Sequence, residues 1–181
     1  CEQFADPPRE DPPMLSPKNP APAFSLPSTS GRAVSTKDLR GRRFVLYFYP
    51  KDDTPGCTKE ACNFRDQWSA FEQHGIAVLG ISKDGATSHV KFINKYTLPF
   101  TLLSDAEPCP VAESYGSYGL KKFMGRESMG MMRHTFVVDA DGNLHDVGHE
   151  IVRCADWILA NQPTGVGTDG VEVPQVDGLK R

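Results

Sequence analysis

Phe44-Val45-Leu46-Tyr47-Phe48-Tyr49-Pro50-Lys51-Asp52-Asp53-Thr54-Pro55-Gly56-Cys57 holds the junction on which the fold turns. The run from Phe44 to Tyr49 leaves neither face of a strand polar, so a central strand covered on both sides is expected there. Pro50 cannot continue a ladder of hydrogen bonds, and Asp52, Asp53, Pro55 and Gly56 are turn formers. Cys57 then falls in the first turn of the following helix, where unpaired backbone N–H groups point outward at the positive end of the helix dipole. Those donors favour a thiolate over a thiol. Cys62 follows on the same helix, so a candidate nucleophile and a candidate second thiol share one element.

Downstream, Ala61, Phe64, Trp68 and Phe71 recur at three- and four-residue spacings, which predicts one helix from Pro55 to a stop at Gly75. Ile76 to Ser82 reads as a second central strand. Asp84-Gly85 is a turn before a helix over Thr87 to Tyr96, with Thr87 or Ser88 near its cap and Val90, Phe92 and Ile93 as its apolar positions. Pro99 to Leu103 is a brief strand, Val111 to Tyr118 supplies a helical turn, and a glycine-marked loop runs through Gly119 and Gly125. Thr135 to Asp139 and Asn143 to Val147, joined by Ala140-Asp141-Gly142, form a hairpin. Ala155 to Asn161 closes the domain as a helix.

Upstream, strands at Ala23 to Pro27 and Ala33 to Ser35 flank a turn at Ser30-Gly31, and Lys37 to Arg40 forms one helical turn. The proline-rich stretch 1–20 is expected to be a disordered tether, residues 21–162 a single folded domain, and residues 163–181 a flexible tail. The element order indicates an α/β, thioredoxin-like fold: a central mixed sheet with helices on both faces and an N-terminal β-hairpin.

The 181 residues carry a formal net charge of −3 and a hydrophobic fraction of 39%, which suits one soluble domain with additions. Lys51, Lys59, Arg65, Lys121, Lys122 and Arg126 are interspersed with acids, so no nucleic-acid footprint is present. No apolar stretch is long enough to span a bilayer. Five cysteines, Cys1, Cys57, Cys62, Cys109 and Cys154, are too few and irregular for a disulfide-stapled secreted fold. Cys1 leaves two readings open, a lipid-modified anchor in the cell envelope or a chain boundary. Cys109, between Pro108 and Pro110, reads as a solvent-facing loop thiol and Cys154 as packing. A bridge between the two stays open. His74, His89, His134, His145 and His149 show no paired ligand spacing, so no metal site is expected. Glu60 either orients a distant arginine or is an exposed acid complementing the helix dipole. Met124, Met129, Met131 and Met132 are expected to pack a pocket wall or a subunit contact.

Pro50-Lys51-Asp52-Asp53-Thr54-Pro55-Gly56-Cys57-Thr58-Lys59-Glu60-Ala61-Cys62 resembles the active-site signature of the peroxiredoxins, specifically the bacterioferritin-comigratory, or Q-type, branch. The segment Arg133-His134-Thr135-Phe136-Val137-Val138-Asp139 is similar to the distal arginine segment of that family, and the likeness spans about Ala23 to Asn161. The resemblance implies a thiol-dependent peroxidase acting on hydrogen peroxide and organic hydroperoxides without a cofactor. It makes Cys57 the peroxidatic and Cys62 the resolving cysteine, with Thr54, Pro50 and Arg133 completing the pocket. It also implies a Cys57–Cys62 disulfide reduced by thioredoxin or a similar dithiol, a monomeric state and a cytoplasmic location. The alternative class is a peroxide-responsive redox switch with little turnover. A protein disulfide oxidoreductase is disfavoured because Cys-x-x-Cys is absent.

Thiolate formation alone does not explain fast peroxide reduction. Lowering a thiol pKa from near 8.5 by roughly 2.5 raises the thiolate fraction at pH 7 about thirtyfold. The less basic sulfur is roughly ten- to twentyfold less nucleophilic, which cancels most of that gain. Donors must therefore stabilise the charge that builds on the peroxide. The N–H groups of Gly56 and Cys57, the Thr54 hydroxyl and Arg133 are the candidates, while Pro50 shapes the turn and shields the oxidised sulfur. Thr54 has a plainer alternative as a helix cap. Five residues of helix separate two Cα atoms by roughly 8–9 Å, beyond disulfide reach, so the first turns must unwind before Cys57 and Cys62 can join. Cys62 could otherwise be a small apolar member of the buried stripe.

Overall fold

The computed structural model describes residues 15–123 and 126–148. The predicted helix at Ala155 to Asn161, the tail, Cys1, Cys154, Met124 and Gly125 lie outside the described residues. In chain order the elements are β1 (Ser25–Pro27), β2 (Ala33–Ser35), β3 (Phe44–Phe48), α1 (Pro55–Asp66), α2 (Trp68–Gln73), β4 (Ala77–Ser82), α3 (Ala86–Tyr96) and β5 (Thr101–Ser104). They continue as α4 (Pro110–Ser114), β6 (Tyr118–Phe123), β7 (Arg126–Met131), β8 (His134–Val138) and β9 (Leu144–Gly148).

The central sheet has the order β5-β4-β3-β8-β9. β3 lies in the middle, parallel to β4 and antiparallel to β8. Every side chain of β3 is buried, because its alternating residues feed two cores. Val45, Tyr47 and Tyr49 pack with Phe64, Phe71 and Phe92 from the helices on one face. Phe44, Leu46 and Phe48 pack with Leu26, Tyr115 and Met131 on the other, where α4, the β1–β2 hairpin and the β6–β7 hairpin cover the sheet. Burying each such side chain contributes about 1.5–3 kcal/mol, which makes the sheet centre the rigid base of the molecule. The expected mixed sheet and N-terminal hairpin are present. No helix among the described residues is long and apolar enough to cross a membrane.

Several local expectations are corrected. The helix predicted from Pro55 to Gly75 is two helices, α1 and α2, broken at Gln67. The break leaves the spacing of Phe64 and Phe71 toward the core intact, so the pattern does not reveal it. Gly75 does stop α2, with φ +63°. In α3 the buried positions are His89, Phe92 and Ile93, whereas Val90 is exposed. The i, i+3, i+4 spacing runs through a histidine, and Gly85 rather than Thr87 or Ser88 stands at the cap. The supposed loop at Gly119 belongs to the β6–β7 hairpin, in which Gly119 pairs with Gly130. Two facing glycines weaken the strand signal, and the Lys121 side chain crosses Gly130 so closely that a Cβ there would lie 2.6 Å from its Cε. Lys37 to Arg40 forms turns, not a helical turn. Asp38 accepts from the Ser35 N–H and hydroxyl and sets the bend. The segment expected to be disordered up to Pro20 is laid along the β8–β9 turn in its last part: Lys18 N–H donates to the Leu144 carbonyl at 2.6 Å, and Leu144 N–H to the Asn19 carbonyl at 2.8 Å.

Gly80 on β4 sits where a Cβ would lie 2.6 Å from Leu102 Cδ2 and 2.6 Å from the Tyr47 hydroxyl. Gly80→Ala is expected to cost about 1–3 kcal/mol by overpacking, read as a lower denaturant midpoint at unchanged slope.

Candidate active site

The pairing of β3 with β8 brings the two distant sequence motifs together. Phe48 at the end of β3 is opposite His134 at the start of β8. In an antiparallel pair the residue before β8 must therefore stand beside the chain leaving β3, and that residue is Arg133. The loop from Pro50 to Thr54 lies at the carboxyl end of β3, where one neighbouring strand is parallel and the other antiparallel. Open α/β sheets characteristically bind ligands outside the carboxyl ends of their strands.

Cys57 occupies the first turn of α1 and is 1% exposed. Arg133 Nη2 donates to its Sγ at 3.1 Å, and Nη1 donates to Glu60 Oε2 at 2.8 Å. Glu60, one turn along α1, is buried and forms an ion pair with Arg133. The reading of Glu60 as an exposed dipole partner is corrected: its carboxylate fixes the guanidinium over the sulfur. Burial pushes the Glu60 carboxyl up, against the pull of Arg133. Burial also lowers the Arg133 pKa, but Cys57 and Glu60 outweigh it and hold the guanidinium charged above its ordinary value. Gly56 makes this approach possible, since a Cβ there would lie 2.8 Å from Arg133 Nη2.

Thr54 precedes α1 in an extended conformation and makes no side-chain cap; its hydroxyl donates to the Lys51 carbonyl at 3.2 Å. Helix capping is therefore not its role here. Pro50 is half-buried where the loop leaves β3, and Cys62 is half-buried further along α1, beside the buried stripe of Cys57, Ala61 and Phe64. Cys57, Cys62 and Cys109 are all free thiols. Lys121 Nζ donates to the Met131 carbonyl at 2.6 Å, tying β6 to the strand that leads into Arg133. Met131 packs in the second core, Met132 is half-buried and Met129 is exposed. His134 Nδ1 lies 3.0 Å from the Ser117 hydroxyl.

Cys109 is a correction, because it is fully buried rather than solvent-facing. The neighbouring Asp105 carboxylate accepts from the N–H groups of Val111 and Ala112 and folds the short helix back onto the sheet, carrying the thiol inward. Burial, with Asp105 and Glu107 nearby, pushes its pKa up to about 11. A buried group of Tyr49, Asp52 and His89 also escaped the sequence reading, and the histidine at an apolar position of α3 was its one signal.

A buried sulfur under an ion-paired arginine, at the mouth of the first helix of a thioredoxin-like sheet, is the arrangement of the thiol peroxidases. A model of the AhpC/TSA family matches residues 17–147, and the chain belongs to that family. Its relatives are peroxiredoxins of the Bcp type. Over 127 residues it is 46% identical to peroxiredoxin Bcp of Escherichia coli strain K12, covering 70% of this chain and 81% of that one. Over 124 residues it is 45% identical to peroxiredoxin Bcp of Bacillus subtilis strain 168, covering 68% and 78%. Among solved structures, peroxidoxin BcpB from Mycobacterium tuberculosis superposes with a TM-score of 0.69 at 34% identity, over 81% of this chain and 96% of that one. The bacterioferritin comigratory protein of Xanthomonas campestris, studied for alkyl peroxide reduction, superposes with a TM-score of 0.68 at 29% identity, over 76% and 88%. The family implies a peroxide substrate and a thioredoxin-type reductant.

Gly56→Ala is expected to displace the Arg133 guanidinium and slow oxidation of Cys57 by on the order of 100-fold, as loss of one transition-state donor does. Stopped-flow oxidation under peroxide excess measures it, with little change expected in melting temperature. At pH 8 native Cys109 is expected to resist iodoacetamide while denaturation makes it react, as peptide mapping of the alkylated chain would show.

Proposed function

We propose that Cys57 is the peroxidatic cysteine of a thiol peroxidase that reduces hydrogen peroxide and small organic hydroperoxides. The observation that carries this reading is the Arg133 contact: one guanidinium reaches the Cys57 sulfur while Glu60 fixes its other arm. The Cys57 thiolate attacks the nearer peroxide oxygen, an S–O bond forms as the O–O bond breaks, and the departing oxygen takes a proton to leave as water or alcohol. Arg133, the N–H groups of Gly56 and Cys57, and the Thr54 hydroxyl turned away from Lys51 hold the two oxygens and the charge that grows between them. Pro50 limits access to the resulting sulfenic acid. The alkyl peroxide reduction studied in the Xanthomonas relative supports organic hydroperoxides as substrates.

In the second half of the cycle, Cys62 thiolate attacks the Cys57 sulfenic sulfur, the S–O bond breaks, and hydroxide leaves as water after taking a proton. The two residues sit five apart on α1, a spacing that keeps Cα atoms beyond disulfide reach in an intact helix. The first one to two turns of α1 therefore unwind for this step. A thioredoxin-like dithiol then reduces the disulfide and is itself oxidised. The active unit we propose is the monomer.

Cys57→Ser is expected to abolish peroxide consumption in a coupled thioredoxin assay, and Cys62→Ser to form one equivalent of sulfenic acid without recycling. Full activity in the first variant would overturn the assignment of Cys57, and normal recycling in the second the assignment of Cys62. A single stoichiometric oxidation in the wild-type chain, with no sustained turnover, would instead identify a redox switch.

A further inference from the structure

Beside the Cys57 site lies a buried polar group that the peroxidase cycle proposed above leaves unused. Tyr49 at the end of β3 donates its hydroxyl hydrogen to Asp52 Oδ1 at 2.7 Å. His89, fully buried on the first turns of α3, places Nδ1 2.9 Å from Asp52 Oδ2 and Nε2 3.2 Å from the Leu103 carbonyl. The group is thus a fully satisfied buried network, the kind that rigidifies its surroundings.

Its position gives it a role. Asp52 and Asp53 belong to the loop that delivers Cys57. The Asp52 N–H donates to Asp84 Oδ2 at 2.8 Å, in the turn before α3. Asp53 accepts from Lys95 Nζ and from the Tyr96 hydroxyl, each at 2.6 Å, on the last turn of α3. Both residues are therefore fastened to α3 or its approach. The next residue is fastened differently: among the described residues the Thr54 hydroxyl bonds back to Lys51 within the loop, and Gly56 is exposed.

We propose that Tyr49, Asp52 and His89 form a positioning unit that clamps the start of the Cys57 loop to α3. The opening that joins Cys57 to Cys62 then hinges at residues 54–56. The unit sets how long oxidised Cys57 stays in the closed site, where a second hydroperoxide can oxidise its sulfenic acid to sulfinic acid with release of water or alcohol, before Cys62 reaches it. This inference rests on the roles assigned above to Cys57 and Cys62.

The test uses the full chain with Tyr49→Phe and His89→Gln. In the reduced protein, backbone hydrogen exchange at residues 54–61 is expected to quicken several-fold while β4 and β5 keep wild-type protection, a pattern that general destabilisation would not give. After a peroxide pulse, intact mass is expected to show a larger share of disulfide and a smaller share of sulfinic acid than in the wild type. Unchanged exchange in a folded variant overturns the clamp, and faster exchange with an unchanged product split overturns its link to resolution. If His89→Gln does not fold, Tyr49→Phe, which removes a single hydroxyl, decides. The exchange measurement needs no peroxide, so a wild-type chain whose Cys57 ignores peroxide would sink the peroxidase roles and leave the clamp to be judged separately.

Discussion

The register between β3 and β8 is the constraint on which the site depends. Phe48 opposite His134 leaves Arg133 no place except over the start of α1, and Gly56 leaves room for it there. A slip of one residue would turn Arg133 to the other face of the sheet and exchange the side chains that β8 gives to the two cores. That register is held by the two cores on either side of β3, so the packing that stabilises the molecule also aims the guanidinium at the sulfur.

The electrostatics follow from this geometry. Arg133 is partly exposed, yet it is bound at two points, by Cys57 and by the buried Glu60. A guanidinium held by a carboxylate is already oriented on the sulfur, which in the proposed reaction leaves little reorganisation for the chemical step. The loop ahead of Cys57 is fixed to α3 and its approach by Asp52 and Asp53, while Arg133 at the start of β8 holds the sulfur itself.

Much of this was legible in the sequence. The apolar run at Phe44 to Tyr49, the turn formers after it and the placement of Cys57 follow from strand and helix rules, and the late hairpin from Asp141-Gly142. Two causes account for several of the unread parts: a polar residue occupying an apolar position, or backbone pairing that glycines conceal. His89 interrupts the stripe of α3, Glu60 is buried by a partner seventy-three residues away, and Gly119 with Gly130 hides a hairpin. Cys109 lies between prolines that suggest a surface loop, whereas Asp105 draws the segment inward through two backbone N–H groups. Local pattern cannot report a long-range ion pair, because Arg133, the partner of Glu60, is not among its neighbours in sequence.

The dependence of the sulfur on β8 also orders events during synthesis. Cys57 leaves the ribosome well before Arg133 and the strand that positions it, and the central pairing cannot close until His134 to Val138 have emerged. A nascent chain therefore carries an unassisted thiol while the 76 residues up to Arg133 are added. In the cycle proposed for Cys57, its speed toward peroxide is acquired only when the sheet is complete, which couples full reactivity to successful folding.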